Sequence, residues 1–169
     1  ARNTAVGRAA LDANTTAGLN TACGDSALTA NTTGASNTAV GLAALEANTT
    51  GSYNTAVGVQ ALGNGNTTSH YLTAIGYQTL ISNTSGTRNT ALGAYALDAN
   101  TTASDNTGLG YAALGANTTG TENVAVGKGA LDANTTANEG TAIGHNALGT
   151  QVTGNNNTAV GSIALATAN

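Results

Sequence analysis

Asn37-Thr38-Ala39-Val40-Gly41-Leu42-Ala43-Ala44-Leu45-Glu46-Ala47-Asn48-Thr49-Thr50-Gly51-Ser52-Tyr53 is one unit of a pattern that fills the whole chain. Its glycine recurs as Gly7, Gly24, Gly41, Gly58, Gly76, Gly93, Gly110, Gly127, Gly144 and Gly161. Each step is 17 residues, apart from one step of 18 between Gly58 and Gly76. Four residues after each glycine stands a leucine, from Leu11 to Leu165. Self-similarity at a short fixed period means a quasi-one-dimensional stack with one rung per repeat. Thr-Ala-Val is β-favourable, the glycine permits a bend or a close backbone approach, and Asn-Thr-Thr-Gly carries turn chemistry. A helix is disfavoured, because the run between glycine and Asn-Thr-Thr is too short and is flanked by Asn and Thr. The pattern therefore predicts an all-β fold, a β-solenoid (β-roll) of ten 17-residue coils. Two short strands per coil are expected, in a single repeat domain over 1–169. The extra residue of the long step falls in Leu62-Gly63-Asn64-Gly65-Asn66, where it can bulge without breaking the stack.

Composition agrees with a thin core. The 169 residues include no Pro, Phe, Trp or Met, only 7% are charged, and the apolar stock is mainly Ala, Val, Leu and Ile. Such side chains fill a narrow interior and not a wide one. A net charge of −4 without a basic stripe gives no nucleic-acid footprint. No apolar run approaches the ~18 residues of a membrane span, so no membrane insertion is expected in this segment. The single cysteine, Cys23, permits no internal disulfide and reads as a small buried hydrophobe.

All twelve charged residues fall one residue after the glycine (Arg8, Asp25, Lys128), five after it (Asp12, Glu46, Asp98, Asp132) or five before it (Arg2, Arg88, Asp105, Glu122, Glu139). Those positions should face water. With Val6 and its equivalents pointing into the coil, strand alternation sends Thr4 inward and Ala5 outward. An outer position restricted to Ala, with one Gly, then suggests close packing against another chain. The alanine three after the glycine is restricted in the same way. The expectation is a homo-oligomer of side-by-side rods, with a trimer or an end-to-end filament as its candidate forms.

Asn14, Asn31, Asn48, Asn66, Asn83, Asn100, Asn117 and Asn134 each open Asn-Thr-Thr or Asn-Thr-Ser. They can form an amide ladder from coil to coil, or serve as N-glycosylation sequons. The ladder is the favoured reading, and the two exclude each other wherever the amide is buried. Tyr71, Tyr77, Tyr95 and Tyr111 are candidate exposed residues for contacting a sugar or a protein. Catalysis is poorly served, so no enzyme is expected. His70 and His145 lie more than four coils apart, and neither shares a coil with Cys23. Asp12, Glu46, Asp98 and Asp132 share a column, but no two occupy neighbouring coils. Paired-carboxylate chemistry and a Ca²⁺ column are therefore unfavoured, and no cofactor or metal is expected. Ice binding by threonine arrays ranks lower, because adjacent Thr-Thr residues point to opposite sides and a two-rank array needs Thr-x-Thr.

The Asn-Thr-Ala-Val-Gly and Thr-Ala-Ile-Gly phrases resemble the Ala-Ile-Gly repeats in head domains of trimeric autotransporter adhesins. The longer Asn-Thr-Ala-Val-Gly-x-x-Ala-Leu-x-x-Asn-Thr-Thr-Gly unit resembles repeats of bacteriophage tail-fibre-like and bacterial surface proteins. The adhesin resemblance implies a left-handed parallel β-roll, three chains side by side, displayed on a cell surface. The repeat here is longer and carries the extra Ala-Leu-x-Ala-Asn-Thr-Thr segment. The expected function is a structural extracellular fibre, of which this chain is a segment, at a cell surface or on a virion. The alternative is an adhesin or tail-fibre domain that binds a glycan or another host-surface ligand.

Overall fold

In a computed structural model, which describes residues 2–66, 68–150 and 153–166, each repeat contributes one three-residue strand. The strands are β1 (Thr4–Val6), β2 (Thr21–Cys23), β3 (Thr38–Val40), β4 (Thr55–Val57), β5 (Thr73–Ile75), β6 (Thr90–Leu92), β7 (Thr107–Leu109), β8 (Val124–Val126), β9 (Thr141–Ile143) and β10 (Thr158–Val160). They form one parallel sheet in chain order, with Thr over Thr and Ala over Ala. The β-solenoid is thus the fold of the chain. Nine inter-strand steps give the sheet a length of roughly 43 Å at the usual strand spacing. The register passes the long step unbroken, with Thr55 opposite Thr73. Asn64 takes the place of Ala47 in the next coil, its N–H donating to Ile81 O as that of Ala47 does to Gly63 O. Gly65 is therefore the extra residue.

Among the described residues the expected second strand is absent. The Ala-Leu segment bonds coil to coil, as in Leu28 N–H to Ala44 O (3.0 Å) and Ala30 N–H to Glu46 O (3.1 Å), but it is not extended. Ser26 and Leu28, and the matching pair in each coil, have φ near +55°. Alternating positive and negative φ curls the chain into a corner that still presents its N–H groups along the stack. The glycine before this corner has φ near +130°, and its backbone meets the next coil. A Cβ built on Gly110 would lie 2.6 Å from Gly127 O, so no other residue fits.

The facing of the strand is the reverse of the expectation. Ala39 is fully buried, whereas Val40 is 37% exposed. The core is built from the strand alanines (Ala22, Ala39, Ala56), the corner alanines (Ala27, Ala44, Ala61) and the leucines (Leu28, Leu45, Leu62), repeated along the rod. The inward strand position faces the leucine column and is alanine or glycine in every repeat. Alanine fits, so both restricted alanine columns are explained within a single chain. The side-by-side oligomer inferred from them loses that premise. Where Thr79 replaces an alanine it is buried, and its hydroxyl donates to Gly93 O (2.9 Å). Each fully buried leucine contributes about 1.5–3 kcal/mol of burial free energy. None of the twelve charged side chains is buried, as their periodic placement predicts.

Candidate functional site

Asn-Thr-Thr folds as a turn whose asparagine points inward. Asn31, Asn48, Asn66, Asn83, Asn100, Asn117 and Asn134 are fully buried, and Asn14 at the first coil is half-buried. Asn48 Nδ2 donates to Asn31 Oδ1 (2.8 Å) and to Gly51 O (3.1 Å). Asn100 repeats this with Asn83 Oδ1 and Ala103 O. At the seven fully buried asparagines the amide lies in a closed interior that leaves no room for a glycan, whereas half-buried Asn14 donates, among the described residues, only to Ala17 O (3.1 Å). Among the described residues the ladder breaks once, beside the extra residue. Asn66 Oδ1 is buried without a partner, and Asn83 donates instead to Ser69 Oγ (3.2 Å).

A second ladder, which the sequence reading left unexamined, uses the asparagine that opens Asn-Thr-Ala-Val. Asn37 N–H donates to Asn20 Oδ1 (2.8 Å), while Asn20 Nδ2 donates to Gly34 O (2.9 Å). The same carbonyl accepts from Asn31 Nδ2, joining the two ladders. The signal available was recurrence: this position is Asn in eight repeats, with Leu72 and Gly140 as the exceptions.

On the outside, Thr and Val of every strand share one face. The first rank is Thr4, Thr21, Thr38, Thr55, Thr73, Thr90, Thr107, Val124, Thr141 and Thr158. The second is Val6, Cys23, Val40, Val57, Ile75, Leu92, Leu109, Val126, Ile143 and Val160. All are exposed or half-buried. Cys23 is therefore an exposed free thiol and not a buried hydrophobe, because it occupies this outward rank.

Tyrosines flank the face on both sides. Tyr53 and Tyr71, preceding β4 and β5, stack at 5.2 Å with nearly parallel rings. Tyr77, Tyr95 and Tyr111, following β5, β6 and β7, form an edge-to-face chain at 5.4 and 5.8 Å. The structure thus groups Tyr77, Tyr95 and Tyr111 and sets Tyr71 apart from them, on the other flank beside Tyr53. Burial, with Tyr77 and Tyr111 on either side, raises the Tyr95 phenol above its ordinary pKa.

The remaining titratable groups divide by neighbour. Arg8 and Asp25 pair at 3.0 Å across adjacent coils, and Arg88 and Asp105 at 2.6 Å. The Asp25 carboxyl is lowered by Ser26 and then by Arg8, and that of Asp105 by Arg88. Asp98 and Asp132 lie two coils apart, yet both reach over Gly115. A Cβ there would stand 2.7 Å from Asp132 Oδ1 and 3.4 Å from Asp98 Oδ1. The glycine lets them converge, contrary to the expectation from coil spacing. Burial raises both carboxyls, and Asp132 raises Asp98 further. A cleft of about 180 Å³ beside Asp132 is lined by Gly129, Asn146 and Ile163. His70 Nδ1 accepts the Ser52 N–H (3.0 Å) and so is held by backbone.

Among the described residues, no three His, Cys, Asp or Glu side chains gather closely enough to hold a metal ion. Nor is any helix there long and apolar enough to cross a membrane. The chain matches no protein-family model, no curated protein and no solved structure.

Proposed function

We propose that the chain is a structural segment of an extracellular fibre, displayed at a cell surface or on a virion. The observation that carries this reading is the continuity of cohesion. Strand, corner and Asn-Thr-Thr turn each bond to the coils above and below, and the Ala/Leu core runs through all of them. Force applied along such a rod is shared by parallel hydrogen bonds, and the short turns offer a protease little free backbone. The adhesin-like phrases support display at a surface.

Electron microscopy and small-angle scattering of the purified chain test this reading. Stiff rods that lengthen with concentration are expected. Compact particles of fixed size at every concentration would refute it.

The tyrosine clusters favour a second reading, an adhesive segment whose stacked rings bind sugars. Glycan-array binding that disappears in Tyr71→Ala and Tyr111→Ala variants would establish it. A fibre without that role is indifferent to both changes.

A further inference from the structure

We infer that the outward Thr-x-Val face of the ten-stranded sheet is an ice-binding surface. A two-rank array needs its members at alternate positions of a strand, and Thr-x-Val supplies that without a second threonine. The first rank carries nine threonines and Val124, which has the same shape with a methyl in place of the hydroxyl. The second rank is aliphatic throughout apart from Cys23. Neither rank contains a charged residue, although charge occurs on both flanks, at Arg8, Asp25 and Lys128 on one and at Arg88, Asp105 and Glu122 on the other.

The threonines of this face differ from the first threonines of the Asn-Thr-Thr turns. Thr32, Thr101 and Thr118 donate their hydroxyls to carbonyls of the next coil. Among the described residues, none of the nine first-rank hydroxyls makes a hydrogen bond within the protein. They are left for water, and each has a methyl beside it.

The spacing of these groups is set by backbone and not by side-chain choice. Successive coils repeat at about 4.8 Å, and the two ranks stand about 6.6 Å apart along each strand. The coil repeat is close to the short oxygen repeat on faces of hexagonal ice, and the rank separation is somewhat shorter than the longer one. A rigid lattice of methyls and free hydroxyls can order water into that pattern and then merge with it. Ten rungs act together, and because the backbone is already fixed, little ordering entropy opposes adsorption.

The test is thermal hysteresis and inhibition of ice recrystallisation by the purified chain. The variants are Thr55→Lys and Thr90→Lys on the strip, with Thr50→Lys and Thr119→Lys, exposed threonines of the Asn-Thr-Thr turns, as controls. Thr90→Ser gives a milder strip variant that removes only the methyl. Circular dichroism confirms the fold of each. The wild-type chain and both controls are expected to shape ice, with a several-fold loss in either lysine variant and a smaller loss in Thr90→Ser. Absence of activity in the wild-type chain would overturn the inference, as would equal loss in the controls. So would light scattering that shows a dimer which the strip lysines dissociate, since that assigns the face to a second copy. None of these outcomes bears on whether the rod is a fibre.

Discussion

At the level of single residues, the backbone makes two opposite demands in neighbouring positions. Gly110 has φ +134° and sits against Gly127 O, so Gly110→Ala combines strain with a backbone clash. A loss of roughly 3 kcal/mol or more is expected in chemical denaturation. Two residues on, Ala112 has φ +52°, and the equivalent position in the next coil is already Gly129 at +64°. A left-handed alanine costs about 1–2 kcal/mol, and glycine's extra chain entropy returns about 0.5–1 of that. Ala112→Gly should therefore stabilise the rod by up to ~1 kcal/mol in the same assay. A loss instead would show that the corner is not strained. The asparagines behave differently. Asn100→Ala removes two hydrogen bonds donated by Asn100 and one accepted from Asn117, all in the interior. At about 1–3 kcal/mol for each orphaned buried group, several coils should open together in hydrogen exchange.

Legibility in the sequence also differed by residue. Glycine and leucine declared themselves by recurrence, and the charges by their confinement to three columns. Hydrophobicity points the wrong way for the facing of Thr-Ala-Val, where alanine is buried and valine exposed. Variance is the better guide in a thin coil. The inner position admits Ala or Gly alone, whereas the outer one accepts Val, Cys, Ile and Leu. An interior one alanine wide enforces the first restriction, and water tolerates the second. The positive-φ corner left almost no trace, since Gly129 and Asn146 are the only residues of that column that advertise a left-handed conformation.

At the level of elements, the columns that run from coil to coil determine how the stack responds to pH. Asp98 and Asp132 meet over Gly115, and their carboxyls are raised, by burial first. A carboxyl raised in the fold binds its proton more tightly there than in the unfolded chain. Its stabilising contribution is complete below the unfolded value of 3.8 and is lost as pH rises through the folded value. At neutral pH the pair opposes folding. Asp98→Asn should raise the melting temperature at pH 7, and the gain should vanish below pH 3.8. Asp25 and Asp105 have the opposite sign. Their lowered carboxyls contribute above 3.8, and the contribution is lost as pH falls through the folded values. Melting Asp98→Asn across this range separates the two effects. A gain that persists unchanged into acid would show that the raised carboxyl is not its source.

At the level of the molecule, the coils are interchangeable units joined by nearest-neighbour contacts. Residues 107–123 comprise one whole coil, from β7 to the asparagine before β8. Deleting these 17 residues joins Asn106 to Val124, the same Asn-Val junction that Asn123 makes in the intact chain. The asparagine ladder, the Ala/Leu core and the outward strip all close over the gap, because each column supplies the same atoms one rung further on. Circular dichroism should be unchanged in shape, with the melting temperature lowered by only a few degrees, the loss of one interface term. Deleting 107–122 instead leaves Asn123 behind and shifts the rest of the chain by one residue. Alternation then drives Val124 and Val126 inward and Ala125 outward, into a coil that accommodates only alanine there. That variant should lose the cooperative transition over the C-terminal coils. If the two deletions melted alike, the periodic core would not be what holds the rod together.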